Sequence, residues 1–134
     1  SVNSDAKDPI TYEAFLQLID SFSDIEAGRR WKLPVAITGV FRLRTCELNY
    51  VRAKGNVLHC DYEKQSANGA TKARVIEPLP PEQRPDLGKQ LLMELSSGIT
   101  RLPNCFGKGK KDSEAARKMR TYLDRRARCC YQTK

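Results

Sequence analysis

The amino-acid sequence predicts an α+β fold that is mostly helical, with a small antiparallel β-sheet or hairpin. Two stretches, 12–22 and 87–95, carry apolar residues at the spacing of one helix face. Between them, residues 57–76 contain short runs that are typical of β-strands. Four prolines within 78–85 then exclude regular secondary structure before the second helical stretch. This order of elements indicates one mixed domain.

The first two helices are indicated by capping residues and apolar spacing. Thr11 can cap the first helix, with Glu13 near its positive end. Its apolar face consists of Phe15, Leu16, Ile19 and Phe22. Ser23 and Glu26 have the spacing of a capping box, which predicts the start of a second helix. Pro34 interrupts its apolar pattern, so we expect this helix to be kinked or to start late.

The middle of the chain predicts a β-hairpin after a short helical segment at 44–50. Residues 57–62 and 72–76 are the two strand-like runs, and a third short strand is expected near Val51. The intervening 65–71 segment contains Asn-Gly and small polar residues, which suit a hairpin turn or a longer loop.

The last third of the chain predicts an extended connection and two helices. Prolines make 77–84 an extended surface segment. A helix follows, with an apolar face formed by Leu87, Leu91, Leu92 and Leu95. Gly98 is suited to its C-cap, and Asp112 or Ser113 can cap a final helix. The inner stripe expected for that helix comprises Ala116, Met119, Leu123 and Ala127.

The charge is distributed unevenly along the chain. Its 134 residues fit one domain at 10–134, preceded by a flexible lead-in at 1–9. The net charge is +8, and residues 101–134 hold eleven basic and three acidic side chains, whereas 1–28 hold one basic and six acidic. Taken alone, this composition suits a nucleic acid, with a membrane surface or an acidic protein as the equal alternative. The candidate nucleic-acid contacts in this region are Lys108, Lys110, Lys111, Arg117 and Arg120.

Metal and membrane chemistry receive little support from the sequence. Five cysteines lack C-x-x-C spacing, and the single histidine, His59, has no ligand partner at metal-site spacing, so we expect free thiols, no metal and no cofactor. No signal peptide or membrane-spanning apolar run is evident. We therefore expect a cytoplasmic protein that makes no membrane contact.

Arg44 and Glu47 are the first residues with a chemical interpretation. They are three positions apart and would share one face of a short helix. An arginine there can present its planar fork to a phosphate while the carboxylate fixes its orientation. An ordinary surface ion pair is the alternative interpretation of this spacing.

The segment around Arg44 resembles the first active-site block of the tyrosine recombinases, or phage integrase family. That block reads G-L-R-x-x-E-L after an apolar helix, and residues 42–48 read R-L-R-T-C-E-L. The resemblance implies a catalytic role for Arg44 and a supporting role for Glu47. Arg42 stands where the family has glycine, and we expect it to contact DNA.

The resemblance continues through the hairpin. Family members carry a lysine between two strands, followed by a strand similar to R-x-V-P-L, and 74–79 reads R-V-I-E-P-L. Lys64, which we expect at the tip of the hairpin, matches that lysine, and the resemblance implies that it protonates the leaving 5′ oxygen. Lys72 is its competitor and a candidate DNA contact. A nonspecific phosphate contact or an exposed turn lysine are the simpler interpretations of Lys64.

The rest of the family's active site is not found in this sequence. No H-x-x-R occurs, and Tyr131 and Tyr122 are not assigned as the nucleophile, which should follow that block. The resemblance implies the N-terminal half of a recombinase catalytic domain. The longer protein would act on double-stranded DNA through a phosphotyrosine intermediate and self-associate on DNA, whereas this chain alone would bind weakly without cleavage. The alternatives are a noncatalytic or degenerate DNA-binding protein on the same scaffold and a basic module for an acidic protein.

Overall fold

A computed structural model of the chain describes residues 11–67 and 69–132, so the lead-in expected at 1–9 lies outside the described residues. The fold is α+β. The α-helices are α1 (Tyr12–Asp20), α2 (Glu26–Phe41), α3 (Leu87–Ser97) and α4 (Asp112–Gln132), and a 3-10 helix spans Thr45–Tyr50. The strands are β1 (Val51–Lys54), β2 (Val57–Cys60), β3 (Lys64–Ser66), β4 (Gly69–Thr71) and β5 (Arg74–Ile76).

The strands form a three-stranded antiparallel sheet and a separate hairpin. The sheet order is β1-β2-β5, with Val51 opposite Cys60 and Leu58 opposite Ile76. This confirms the predicted pairing of the two central runs and the third strand near Val51. The connection between β2 and β5 is itself folded, because β3 and β4 pair with each other. The Asn-Gly step begins at Asn68, which lies outside the described residues.

The first helix is as expected, but the predicted start of the second is wrong. Thr11 Oγ1 accepts a hydrogen bond from the Ala14 amide at 3.1 Å. In α2, Ile25 is the N-cap and makes no side-chain capping bond, so Ser23 and Glu26 do not form a capping box. A Cβ at Gly28 would lie 2.2 Å from Ser23 Oγ, which shows that Ser23 packs against the helix at that point. The helix begins eight residues before Pro34 and continues through it, so the late start expected from that proline is wrong.

One core joins the helices and the sheet. Helix α3 packs on α2 and β1, while α4 packs on the 3-10 helix. Side chains of Ile19, Leu33 and Leu58 are each at most 1% exposed. Such complete burial stabilises the fold by about 1.5–3 kcal/mol per large apolar side chain. Gly98 ends α3 with φ of 71°, a left-handed conformation that glycine adopts without steric strain, as the sequence indicated.

The inner face of α4 differs from the predicted stripe. Met119 is buried as expected, but Ala127 is exposed, and Ala115 is fully buried in place of Ala116. Tyr122 stacks on Trp31 with ring centroids 4.4 Å apart. The inner stripe is therefore rotated toward the Tyr122 side, because a large aromatic contact stabilises this face more than the small Ala127 side chain would.

Candidate functional site

A cation-lined cavity lies between the 3-10 helix and the segment that leads into β5. Its volume is about 290 Å³, and its walls are formed by Arg44, Glu47, Tyr62, Lys72 and Arg74. Three of these side chains are cations and one is a carboxylate. The fold thus brings together Arg44, Glu47 and Lys72, which the sequence had singled out from two distant segments.

Arg44 is held through its backbone. It is the N-cap of the 3-10 helix, and its amide N–H donates to Glu47 Oε1 at 2.9 Å. The Glu47 amide in turn donates to the Arg44 carbonyl at 3.0 Å. Within the described residues the Arg44 guanidinium makes no hydrogen bond or ion pair, and the residue is exposed. Its donors are therefore available to an anionic ligand.

Glu47 is the buried acid of the cavity. It is 3% exposed, and its Oε2 lies 2.7 Å from Arg74 Nη2 and accepts from Cys60 Sγ at 3.5 Å. Burial alone would raise the pKa of Glu47, but the hydrogen bonds from Arg44 and Arg74 outweigh it and hold that pKa below 4.5. The expected contact between Glu47 and Arg44 is thus made to the backbone, and the ion pair is made with Arg74.

Arg74 was missed as a site residue. It pairs with Cys60 across β5 and β2, and its Nη1 lies 3.9 Å from Cys60 Sγ. Burial raises the pKa of the Cys60 thiol, which therefore stays protonated at neutral pH and can donate to Glu47. The R-x-V pattern of the strand was a signal for Arg74, although nothing local in the sequence shows its ion pair with Glu47.

Lys64 and Lys72 occupy different positions relative to the cavity. Lys64 is exposed and begins β3, where it pairs with Thr71 at the base of the second hairpin. It does not lie at a hairpin tip and is not among the lining residues of the cavity. Lys72 follows β4 directly and lines the cavity. The assignment of Lys64 as the hairpin lysine stays a prediction, with its competitor Lys72 placed beside Arg44.

Tyr62 links the cavity to the start of α4. It is 5% exposed and meets the Tyr50 ring edge-on, with centroids 5.0 Å apart. The Tyr50 hydroxyl donates to Asp112 Oδ1 at 3.0 Å, and this hydrogen bond is the main reason why the pKa of Tyr50 is raised. Tyr62 was another residue of the site that sequence reasoning did not identify.

The lysine-rich segment before α4 is tied to the 3-10 helix. The Gly107 amide donates to Asn49 Oδ1 at 3.0 Å, and Asn49 Nδ2 donates to the Lys110 carbonyl at 3.4 Å. Asn49 is buried, so these hydrogen bonds satisfy a polar group that would otherwise be costly. The side chains of Lys108, Lys110 and Lys111 are exposed.

The remaining basic candidates lie outside the cavity. Arg42 is exposed and has the left-handed φ of 55°. Arg117 is exposed and pairs with Glu114 at 2.5 Å. Arg120 lines a second cavity of about 280 Å³, between α4 and Thr45. These three are therefore separate surface cations rather than members of the Arg44 cavity.

Other classes of site leave no trace in the part of the chain that the structure describes. Residues 11–67 and 69–132 contain no cluster of three or more histidine, cysteine or acidic side chains that could hold a metal ion. No helix among them has the length and apolar character needed to cross a bilayer. Comparisons with protein-family models, curated proteins and solved structures found no match to this chain.

Proposed function

We propose that this chain binds the phosphate backbone of double-stranded DNA as part of a tyrosine site-specific recombinase. The observation that carries the proposal is the convergence of Arg44, Lys72 and Arg74 on one cavity. The single carboxylate that lines this cavity, Glu47, is already engaged by Arg74, so the cavity retains positive charge. A compact group of cations with available donors favours phosphate oxygens.

The backbone conformation at Arg42 is compatible with the recombinase motif. Arg42 ends α2 in a left-handed conformation, with φ of 55° and ψ of 50°. The recombinase motif carries glycine at this position, and glycine is the residue that adopts such a conformation without steric strain. The backbone conformation at Arg42 therefore fits the turn that the motif's glycine suggests. Arg44 follows two residues later as the N-cap of the 3-10 helix.

The proposed chemistry divides between an arginine and a lysine. Attack on a phosphodiester increases negative charge on the nonbridging oxygens, which the Arg44 guanidinium would stabilise. The departing 5′ oxygen needs a proton, which Lys64 or Lys72 would donate. The tyrosine nucleophile and the H-x-x-R block would come from residues of a longer protein, and assembly on DNA would join several copies.

DNA binding is tested by its dependence on salt. A labelled 20-base-pair duplex is titrated with the chain between 50 and 200 mM salt, and the binding constant is followed by fluorescence anisotropy. The logarithm of the binding constant falls linearly with the logarithm of the salt concentration, and we call the size of this slope the steepness. Each neutralised phosphate adds about 0.9 to the steepness. Arg44→Ala should lower that steepness by about 0.9. Binding that does not weaken with salt would contradict the proposal.

Arg101→Ala is the matched control for this experiment. Arg101 is also an exposed arginine, and it does not line the cavity. The variant removes the same charge from the chain and should leave the salt dependence within error of the original. An equal decrease in Arg44→Ala and Arg101→Ala would show diffuse attraction to the whole basic surface and reject the cavity as the phosphate site.

Catalysis is tested in a longer protein that contains this segment, an H-x-x-R block and a tyrosine. A nicked DNA substrate traps the covalent protein–DNA product, which is measured on a denaturing gel. Arg44→Ala and Lys64→Ala should abolish the product while DNA binding is largely retained. Normal cleavage by Arg44→Ala would refute its assignment. If Lys72→Ala abolishes the covalent product and Lys64→Ala forms it normally, the proton-donor role belongs to Lys72.

If no longer protein of that kind supports cleavage, the noncatalytic alternative becomes the better account. A degenerate DNA-binding protein on this scaffold would keep the salt-dependent binding and its sensitivity to Arg44→Ala. It would form no covalent product with the nicked substrate. The two experiments therefore separate DNA binding from DNA cleavage.

A further inference from the structure

The Arg74 side chain contacts the protein interior and also lines the cavity. One side of its guanidinium contacts the interior, where Nη2 pairs with Glu47 and Nη1 approaches Cys60 Sγ. The side chain is nevertheless 38% exposed, and it lines the same cavity as Arg44 and Lys72. An arginine that served only to neutralise a buried acid could be fully enclosed, whereas this one is open to the cavity.

The donors of Arg74 outnumber its partners in the protein. A guanidinium carries five N–H donors arranged around a plane, and two of its nitrogens have partners in the interior, Nη2 with Glu47 and Nη1 with Cys60 Sγ. If each of these contacts uses one N–H, three donors remain. Glu47 also accepts from the Arg44 amide and the Cys60 thiol, so the carboxylate is satisfied from three directions. Arg74 can therefore stay paired with Glu47 and still donate to an oxygen in the cavity.

We propose that Arg74 is a third phosphate-contacting residue, and that Glu47 is its positioning residue. Arg74 would bridge the buried carboxylate and a DNA phosphate, while Glu47 holds the Arg44 backbone on the other side. This inference rests on the proposed function, because it assumes that the cavity receives DNA. It adds one recognition residue and a physical role for the buried acid that joins both arginines.

The first test compares salt dependence in a background without the acid. Arg74→Ala alone would leave Glu47 unpaired in the cavity, where its charge would repel phosphate by itself. We therefore compare Glu47→Gln with Glu47→Gln/Arg74→Ala, using the labelled 20-base-pair duplex and checking folding by circular dichroism. The double variant should show a steepness lower by about 0.9 than the single variant. Equal steepness in the two would overturn the inference.

The second test needs no substitution and keeps the protein as it exists. Phenylglyoxal modifies accessible arginines, and mass spectrometry measures the adduct at each one with and without the duplex. DNA should protect Arg74 and Arg44, whereas Arg101 should react equally in both samples. Protection of Arg44 without protection of Arg74 would overturn this inference and leave the proposed function standing. Protection of neither would contradict the proposed function itself.

Discussion

Arg74 and Arg126 are both partly buried arginines, but different forces hold them. Arg74 pairs with the buried Glu47 carboxylate at 2.7 Å. Arg126 lies over the Phe22 ring, with its guanidinium carbon 4.1 Å from the ring centroid. Its Nη2 donates to the Ser21 carbonyl at 3.0 Å and to Ser21 Oγ at 2.6 Å. One arginine is therefore fixed by a charge and the other by an aromatic face and neutral oxygens.

The difference shows why a count of basic residues overstates the positive charge that a ligand could reach. Arg126 belongs to the basic α4 sequence, yet its side chain secures that helix to the end of α1. The Tyr122 ring lies beside Phe22 in the same cluster, with centroids 5.9 Å apart. Arg74 comes from a strand outside the most basic segment and opens onto the cationic cavity. Position in the fold, more than local charge density, decides which arginine opens onto a cavity and which one packs against an aromatic ring.

Removal of the aromatic ring that holds Arg126 should have the largest effect on stability. Phe22→Ala removes a ring that is 6% exposed and that contacts both Arg126 and Tyr122. The free energy of unfolding should fall by about 3–5 kcal/mol, as measured by urea denaturation. The decrease should be nearly the same at low and high salt, because the lost contact is mainly apolar. A decrease below about 1 kcal/mol would contradict an anchoring role for this cluster.

Breaking the charged side should have a smaller, pH-dependent effect. Glu47→Gln keeps an acceptor for the Arg44 amide but loses the ion pair with Arg74, and should lower the free energy of unfolding at pH 7 by about 1–3 kcal/mol. The pKa of Glu47 is lowered in the folded state, so its stabilisation is present above about pH 4.5 and is lost as pH falls through the folded pKa. The difference in the free energy of unfolding between the original protein and Glu47→Gln should therefore decrease as the pH falls from 6 to 3.

Urea denaturation at several pH values measures that difference directly. Asp20 and Glu114 also have lowered pKa values, through hydrogen bonds from Arg84 and Arg117. Both acids are unchanged in Glu47→Gln, so their contributions cancel when the free energy of unfolding of this variant is subtracted from that of the original protein at each pH. A constant difference from pH 6 to pH 3 would show that the charge of Glu47 does not stabilise the fold.

The smallest effect should come from a substitution of Arg126 that keeps its positive charge. Arg126→Lys replaces the planar guanidinium by a compact ammonium, which matches the Phe22 ring and Ser21 less well. We expect a loss of about 0.5–1 kcal/mol in the free energy of unfolding. The same change in a Phe22→Leu background should have less effect, because the ring is gone. Equal losses in both backgrounds would exclude coupling between Arg126 and Phe22.

The sequence predicted the elements better than their boundaries. Thr11 and Gly98 mark helix ends through local backbone chemistry, and both expectations are confirmed. The spacing of Ser23 and Glu26 was misleading, because Glu26 is the first residue of α2 and Ser23 packs against Gly28. The N-cap is Ile25, two residues after Ser23, so the S-x-x-E pattern occurs here without forming a capping box. Only the packing of the turn distinguishes the two arrangements.

The candidate site was predictable in part for a related reason. The spacing of Arg44 and Glu47 is local, and the structure places both residues at one cavity. The partner that Glu47 selects is 27 positions away, because the register of β2 and β5 brings Arg74 opposite Cys60. Strand register depends on the whole sheet, so the R-x-x-E pattern could not identify that ion pair.

The second hairpin has a consequence for engineering. Its strands pair Lys64 with Thr71 at one end and Ser66 with Gly69 at the other, so Lys64 and Lys72 both lie at its base. A peptide inserted between Ser66 and Gly69 would lengthen the far end and leave the attachment of both lysines in place. That position could carry a fluorescent tag which reports the approach of a ligand to the cavity without altering the cavity's charge.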